Sequence, residues 1–273
     1  MVERGLCESR EKAKRAIMAG QVKINDQPAR KPSDTVKPGD QIILLAAEKF
    51  VSRGGFKLEH ALDHFQVNPA GLTAVDLGAS TGGFTDCLLQ RGAAKVFAVD
   101  VGRGQLAWKL RRDSRVVVME KTNARNLKPE ALSPSPFPIG WERVAGRPRE
   151  GCADLITIDC SFISLRKILP AAVALLRPSG KIVALIKPQF EAGKAEVDKG
   201  AGVITDPAIH ERVLRELEQF VTSFEFGVSS LETTRNSKPE TQNPKLIWRG
   251  VTESPLLGPA GNKEFLVLIE KGN

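Results

Sequence analysis

The chain is poor in the residues that bind metals or staple small folds. Its four cysteines, Cys7, Cys87, Cys152 and Cys160, lie far apart with no C-x-x-C pair. That excludes a zinc knuckle and a disulfide framework and fits a reducing cytoplasm. Of its three histidines, His60 and His64 are four apart and able to share a helix face, yet no third ligand accompanies them. They read as packing or surface residues, and His210 as a helix residue with no evident partner. No apolar run approaches the roughly 18 residues of a membrane span, and the start, MVERGLCESREKAKRAIMAG, lacks the apolar core of a signal peptide. The expectation is a soluble cytoplasmic protein without metal or membrane contact. No internal repeat is visible.

What the chain has is length and positive charge. Its 273 residues allow one large α/β domain and a small appendage. Lys and Arg number 40 against 32 Asp and Glu, a net charge of +8. The balance favours a polyanionic partner, because lysines and arginines displace counterions condensed on phosphates. Residues 1–45 form a basic unit, with ten Lys plus Arg against seven Asp plus Glu through Phe50. In it SREKAKRAIMAG predicts a short helix: Ser9 as N-cap, Ala13, Ala16 and Ile17 on one face, Gly20 as its stop. Arg10, Lys12, Lys14 and Arg15 crowd this helix, which reads either as a solvated face or as a nucleic-acid contact. VKIN, the turn-rich NDQPARKPSD and the alternating DQIILL predict strands joined by loops that carry Lys23, Arg30 and Lys31.

Residues 46–53, AAEKFVSR, read as a linker containing Arg53, and 54–273 as the larger domain. It opens with the helix FKLEHALDHF, whose stripe is Leu58, Ala61, Leu62 and Phe65. Strand candidates TAVDL, KVFAVD, VVVME, ADLITID, KIVALIK, FGVSSLETT and EFLVLIE then alternate with helical stretches, the signature of a parallel sheet covered on both faces. Asp206 to Phe224 gives the clearest helix, with Pro207 in its first turn and Ile209, Val213, Leu214, Leu217 and Val221 on one side. Residues 133–151 and 235–250, rich in proline and polar residues, read as loops. Trp141 and Trp248 fall in them, and Trp108 stands apart.

TAVDLGASTGGFTDCLLQRGAAKVFAVD joins a strand, a glycine-rich turn, a helix and a second strand ending on an acid. In an open parallel sheet, ligands settle beyond the carboxyl ends of strands near the switch point. Gly78, Gly82 and Gly83 let the backbone approach a ligand, and amides at the helix start can face a carboxylate or phosphate. Asp100 ends the second strand, where an acid commonly holds ribose hydroxyls. The spacing G-x-x-x-G-G is not the G-x-G-x-x-G that admits a pyrophosphate, which argues against NAD. S-adenosylmethionine has a ribose and a carboxylate without a pyrophosphate and suits this turn. Tight strand-to-helix packing is the alternative use of the same glycines.

Asp159 terminates ADLITID and Lys187 terminates KIVALIK, so both project at the carboxyl edge. Lys57 begins the helix before the first strand, and Glu264 begins the last strand. A lysine after a buried run is costly unless paired, so a purely structural Asp159–Lys187 ion pair is one reading. Together VERGLCESREKAKRAIMAGQVKIN, KFVSRGGFKLEHAL, DLGASTGGFTDCLLQRGA, ITIDCSFISLRKIL, LIKPQFEAGKAEVDKG and GPAGNKEFLVLIEK resemble the TlyA family of hemolysin-like, FtsJ-related ribosomal RNA 2'-O-methyltransferases. The resemblance implies a seven-stranded Rossmann-like S-adenosylmethionine-dependent methyltransferase sheet, preceded by a small S4-like α+β RNA-binding domain shortened at its start. It implies a Lys-Asp-Lys-Glu tetrad on Lys57, Asp159, Lys187 and Glu264. Cofactor contacts fall on Gly78, Ser80, Thr81, Gly82, Gly83, Phe84, Asp100 and Asp159, and Asn123 lies near the adenine. Cytidine in ribosomal RNA or ribosomal subunits is the implied target, for a monomer or weak dimer. Cys160 stands where a small aliphatic is usual, a change expected to be harmless. Two rival readings remain: a non-catalytic ribosome-assembly factor, which the intact tetrad argues against, and a membrane-active hemolysin, for which no inserting segment is visible.

Overall fold

Both faces of the central sheet are covered, and that is why its strands are near-continuous runs of Val, Ile, Leu and Ala. The computed structural model describes residues 1–7, 9–18, 22–29, 31–44, 49–132, 152–224, 245–258 and 260–272. The chain divides into two units, Met1–Lys49 and Phe50–Asn273.

In the first unit, helix α1 (Arg10–Met18) begins where Ser9 Oγ accepts the Lys12 N–H at 3.2 Å. Strands β1 (Val22–Ile24), β2 (Gln27–Pro28) and β3 (Ile42–Leu44) form an antiparallel sheet in the order β2-β1-β3. Asn25 and Asp26, both at positive φ, make the two-residue β1–β2 turn, a conformation those short polar side chains tolerate. Ala13, Val22 and Ala29 are its buried apolar residues among those described. Gly20, Arg30 and the Arg15 side chain lie outside the described residues.

The second unit opens with α2 (Gly54–His64), which starts two residues before the expected Phe56. Then come β4 (Thr73–Leu77), α3 (Gly83–Gln90), β5 (Lys95–Val99), α4 (Trp108–Arg111), β6 (Val116–Met119), β7 (Ala153–Ile158), α5 (Leu169–Leu175) and β8 (Leu176–Ile186). They are followed by α6 (Pro188–Glu191), α7 (Lys194–Lys199), α8 (Pro207–Thr222), β9 (Leu246–Glu253) and β10 (Phe265–Lys271). The sheet has seven strands in the order β6-β5-β4-β7-β8-β10-β9. Side chains alternate between two cores: Val75, Ile156, Ile182 and Val267 pack with α5 and α8 on one face, Ala74, Leu155, Val183 and Leu266 with α2 and α3 on the other. On α8, Asp206 caps the first turn through Ala208 N–H at 2.9 Å, and Val213, Leu217 and Val221 are buried.

Three expectations are corrected. The sheet is not wholly parallel: β10 pairs antiparallel with both β8 and β9, so it alone runs against the other strands. Residues 246–250 are not loop but the start of β9, where Trp248 pairs with Ile269 and packs on the core; an edge strand half open to water lacks the dense apolar run that marks the central ones. His210 has partners: its Nε2 lies 3.0 Å from the Ile204 carbonyl, which accepts from it, and its ring meets Phe265 edge-on. FGVSSLETT, residues 133–151 with Trp141, and 235–244 lie outside the described residues.

Candidate active site

The sheet order reverses at β4: β5 and β6 follow on one side, β7 and β8 on the other. The crevice beyond the carboxyl ends of β4 and β7 is therefore the switch point where α/β sheets bind ligands. Gly78 follows β4 at φ +89, and a Cβ there would lie 2.7 Å from the Asp159 carbonyl oxygen, so the two strand ends approach as only glycine allows. Gly82, at φ +97, leads into α3, and a Cβ on Gly83 would lie 2.3 Å from Ser52 Oγ. Asp100, just after β5, accepts the Ser80 N–H at 2.8 Å and the Gly102 N–H at 2.7 Å. These bonds orient the carboxylate and leave lone pairs on both oxygens. Beside it lies a crevice of about 440 Å³ lined by Ser80, Asp100, Val101, Asn123 and Phe162 among others. Asn123 Oδ1 accepts the Arg125 N–H at 3.0 Å.

A second cavity of about 280 Å³ shares Gly78, Ser80, Asp159 and Ser161 with the first and is lined by Lys57, Lys187 and Glu264, as well as Thr81, Gly83, Phe84 and Arg53. Lys57 is carried by the first turn of α2, Asp159 follows β7, and Lys187 follows β8. Glu264 precedes rather than begins the last strand. It reaches this rim because β10 runs backwards: Phe265 pairs with Ile186, so the residues flanking that pair, Glu264 and Lys187, emerge at the same edge. Lys57 Nζ donates to Glu264 Oε2. Lys187 Nζ lies 2.6 Å from Asp159 Oδ1, close but not aligned as a hydrogen bond, and donates to Ser161 Oγ at 2.8 Å. Glu264 is 1% exposed, and its Oε1 has no hydrogen-bond partner among the described residues. Buried ion pairs gain little over apolar packing once desolvation is counted, so the buried Lys57–Glu264 pair beside the part-buried Lys187–Asp159 pair is a weak device for stability alone.

Several participants carried no sequence signal that singled them out. Ser161 is an ordinary serine until the fold sets it against Lys187. Asp76, inside β4, is fully buried and accepts hydroxyls from Thr85 at 2.7 Å and Thr157 at 3.1 Å; burial pushes its carboxyl up to about 7. Burial likewise drives the Cys160 thiol up to about 12, so it packs as an inert group with its Sγ 3.5 Å from the Leu77 carbonyl. Arg10, Lys12, Lys14, Lys31 and Arg53 are exposed, and Lys23 is half-buried. Arg53 alone of these lines the charged cavity; the others belong to the first unit. His60 and His64 stack at 6.0 Å, and among the described residues no group of three metal-ligating side chains exists.

Comparison with known proteins follows this division. The FtsJ-like methyltransferase family matches residues 50–251, and the S4 domain matches residues 1–42. A 16S/23S rRNA (cytidine-2'-O)-methyltransferase, TlyA of Mycobacterium tuberculosis, is 42% identical over 98% of this chain and 86% of its own length. Hemolysin A of Brachyspira hyodysenteriae is 37% identical over 96% of this chain and 94% of its own. A solved structure from Streptococcus thermophilus that carries a provisional hemolysin name superposes with a TM-score of 0.68, at 39% identity, over 99% of this chain and 86% of that one. Among the described residues no helix is long and apolar enough to cross a membrane.

Proposed function

The chain belongs to the FtsJ-like methyltransferase family, and we propose that it transfers a methyl group from S-adenosylmethionine to the 2'-hydroxyl of a cytidine ribose in ribosomal RNA. The observation that carries the reading is the pair of adjoining cavities: one floored by a glycine turn and the Asp100 carboxylate, the other walled by two amines and two carboxylates. The first suits the cofactor. Its volume falls within the roughly 300–1,000 Å³ of small-molecule sites, Asp100 has acceptors left for two ribose hydroxyls, and Gly78 and Ser80, which line both cavities, border the path of the methionine end.

When bound, S-adenosylmethionine supplies a methyl group made electrophilic by its sulfonium. The protein's part is to align a hydroxyl with that methyl and take its proton, and alignment is most of the task. Lys187 is the proposed base, acting as the neutral amine, with Ser161 and Asp159 fixing its Nζ. Lys57 and Glu264, bonded to each other on the wall of the same cavity, orient Lys187 and the hydroxyl oxygen, whose single proton goes to the base. Arg53 at the cavity mouth meets a phosphate beside the target nucleotide. Arg10, Lys12, Lys14, Lys23 and Lys31 of the S4 unit supply phosphate contacts that hold the RNA, together with Arg15 and Arg30 by their place in the sequence.

Purified protein, radiolabelled S-adenosylmethionine and ribosomal RNA test this directly, with 2'-O-methyl sites mapped on the product. Lys187→Ala is expected to slow transfer by roughly 10²–10⁴ while cofactor affinity stays near native. A native rate in that variant removes Lys187 as base, and label appearing on a base instead of a ribose overturns the reaction assigned.

A further inference from the structure

Residues 101–112, VGRGQLAWKLRR, contain four cations and no acid, and the reaction proposed above uses none of them. The segment is pinned to the cofactor turn from below. Ala107 N–H donates to the Thr81 carbonyl at 3.1 Å, Arg111 Nε to the Leu106 carbonyl at 2.9 Å, and the buried Leu106 and Leu110 fill the space over Gly82 that a Cβ would occupy. The opposite side of α4 faces water. Trp108 is 71% exposed there, with the Arg112 guanidinium 5.9 Å from its ring centre.

Two of the four cations are answered locally: Lys109 pairs with Asp86 at 2.8 Å, and Arg111 with Glu120. Arg103 and Arg112 form no ion pair among the described residues, so the net positive charge of the segment resides on them. An exposed indole beside a guanidinium without an ion pair among the described residues is the combination that binds single-stranded nucleic acid, the ring offering a stacking face and the cation a phosphate contact. We propose that Trp108 and Arg112 form a docking face for a single-stranded segment of the RNA substrate, next to the methyl-transfer cavity that Thr81 also lines. This rests on the reading of the substrate as RNA. The face acts on binding and not on chemistry, since neither side chain lines the charged cavity.

The test measures binding of the full chain to a ribosomal RNA fragment at several salt concentrations, with Trp108→Ala, Trp108→Phe and Arg112→Ala. Trp108→Ala is expected to raise the dissociation constant roughly tenfold, within the range of base–aromatic stacking, and Trp108→Phe to restore most of the affinity. Arg112→Ala should lower the slope of log affinity against log salt by about 0.7, the share of one single-strand phosphate contact. Cofactor affinity, melting temperature and kcat at saturating RNA should stay native in all three. Native RNA affinity in Trp108→Ala overturns the proposal, and so does a changed sedimentation coefficient with unchanged RNA affinity, which would mark a protein contact instead. If the native chain neither binds nor methylates the RNA, the substrate reading falls and this inference with it; native binding with unaffected variants removes this inference alone.

Discussion

Among the described residues Asp76 is the acid whose surroundings oppose its charge most. It is fully buried, it accepts the Thr85 and Thr157 hydroxyls, and burial raises its carboxyl from the ordinary range to about 7. In the unfolded chain it ionises near pH 4, while in the folded protein it stays protonated until about pH 7. Its contribution to stability is therefore fully present below about pH 4, declines as pH rises, and is gone above about 7. Asp76→Asn keeps the shape and removes the titration, and threonine hydroxyls can turn to accept the new amide protons. The variant should melt with a flatter pH dependence between pH 4 and 7 and a few degrees higher at pH 8, as read by circular dichroism; an unchanged slope would assign the titration elsewhere. At this scale the sequence shows polar residues where a strand ends, and so Asp100, Asp159 and Lys187 stand out. It hides those whose meaning is a contact, such as Ser161 against Lys187, or burial, such as Asp76 in the middle of TAVDL.

Elements decide whether those residues meet. The N-terminus of α3 lies so close to the segment before α2 that a Cβ on Gly83 would come within 2.3 Å of Ser52 Oγ and 2.8 Å of Gly55 N. Gly83→Ala must therefore push that segment off the cofactor turn. We expect stability to fall by about 1–3 kcal/mol, as for other overpacked sites, and at least about tenfold weaker S-adenosylmethionine binding by calorimetry; native affinity would mean that the turn tolerates the displacement. Leu217, fully buried on α8 between helix and sheet, offers a control far from the turn: Leu217→Ala should cost about 2–5 kcal/mol in denaturant unfolding with little change in cofactor affinity. The alternation of apolar runs and helices made the five parallel strands β4 to β8 readable. Strand direction was not, because EFLVLIE has the same pattern whichever way it runs. That direction is what carries Glu264 to the rim, so the fourth member of the charged group was nameable from resemblance but not explicable without the fold. For β9, alternation broken by Arg249 and Gly250 reads as loop until β10 supplies its partner.

For the whole molecule, both apolar cores lie within residues 50–273. Phe50 is buried there and Val51 N–H donates to Asp86 at 2.8 Å, although both fall in the stretch that composition marks as linker. Composition registers that AAEKFVSR is short and mixed but not which of its side chains are packed. A chain beginning at Lys49 should therefore fold and bind S-adenosylmethionine with near-native affinity. Charge predicts how its RNA binding changes. The full chain carries +8, of which nine Lys plus Arg against seven Asp plus Glu, or +2, lie before Lys49, leaving +6 on the shorter chain. RNA affinity should fall without vanishing, and the slope of log affinity against log salt should become shallower by about 0.7 for each phosphate that the S4 unit neutralises in the full chain. Filter binding across a salt series measures both. An unchanged slope would mean that the first unit touches no phosphates, and would move the whole electrostatic footprint onto the methyltransferase unit and its Arg53, Arg103 and Arg112.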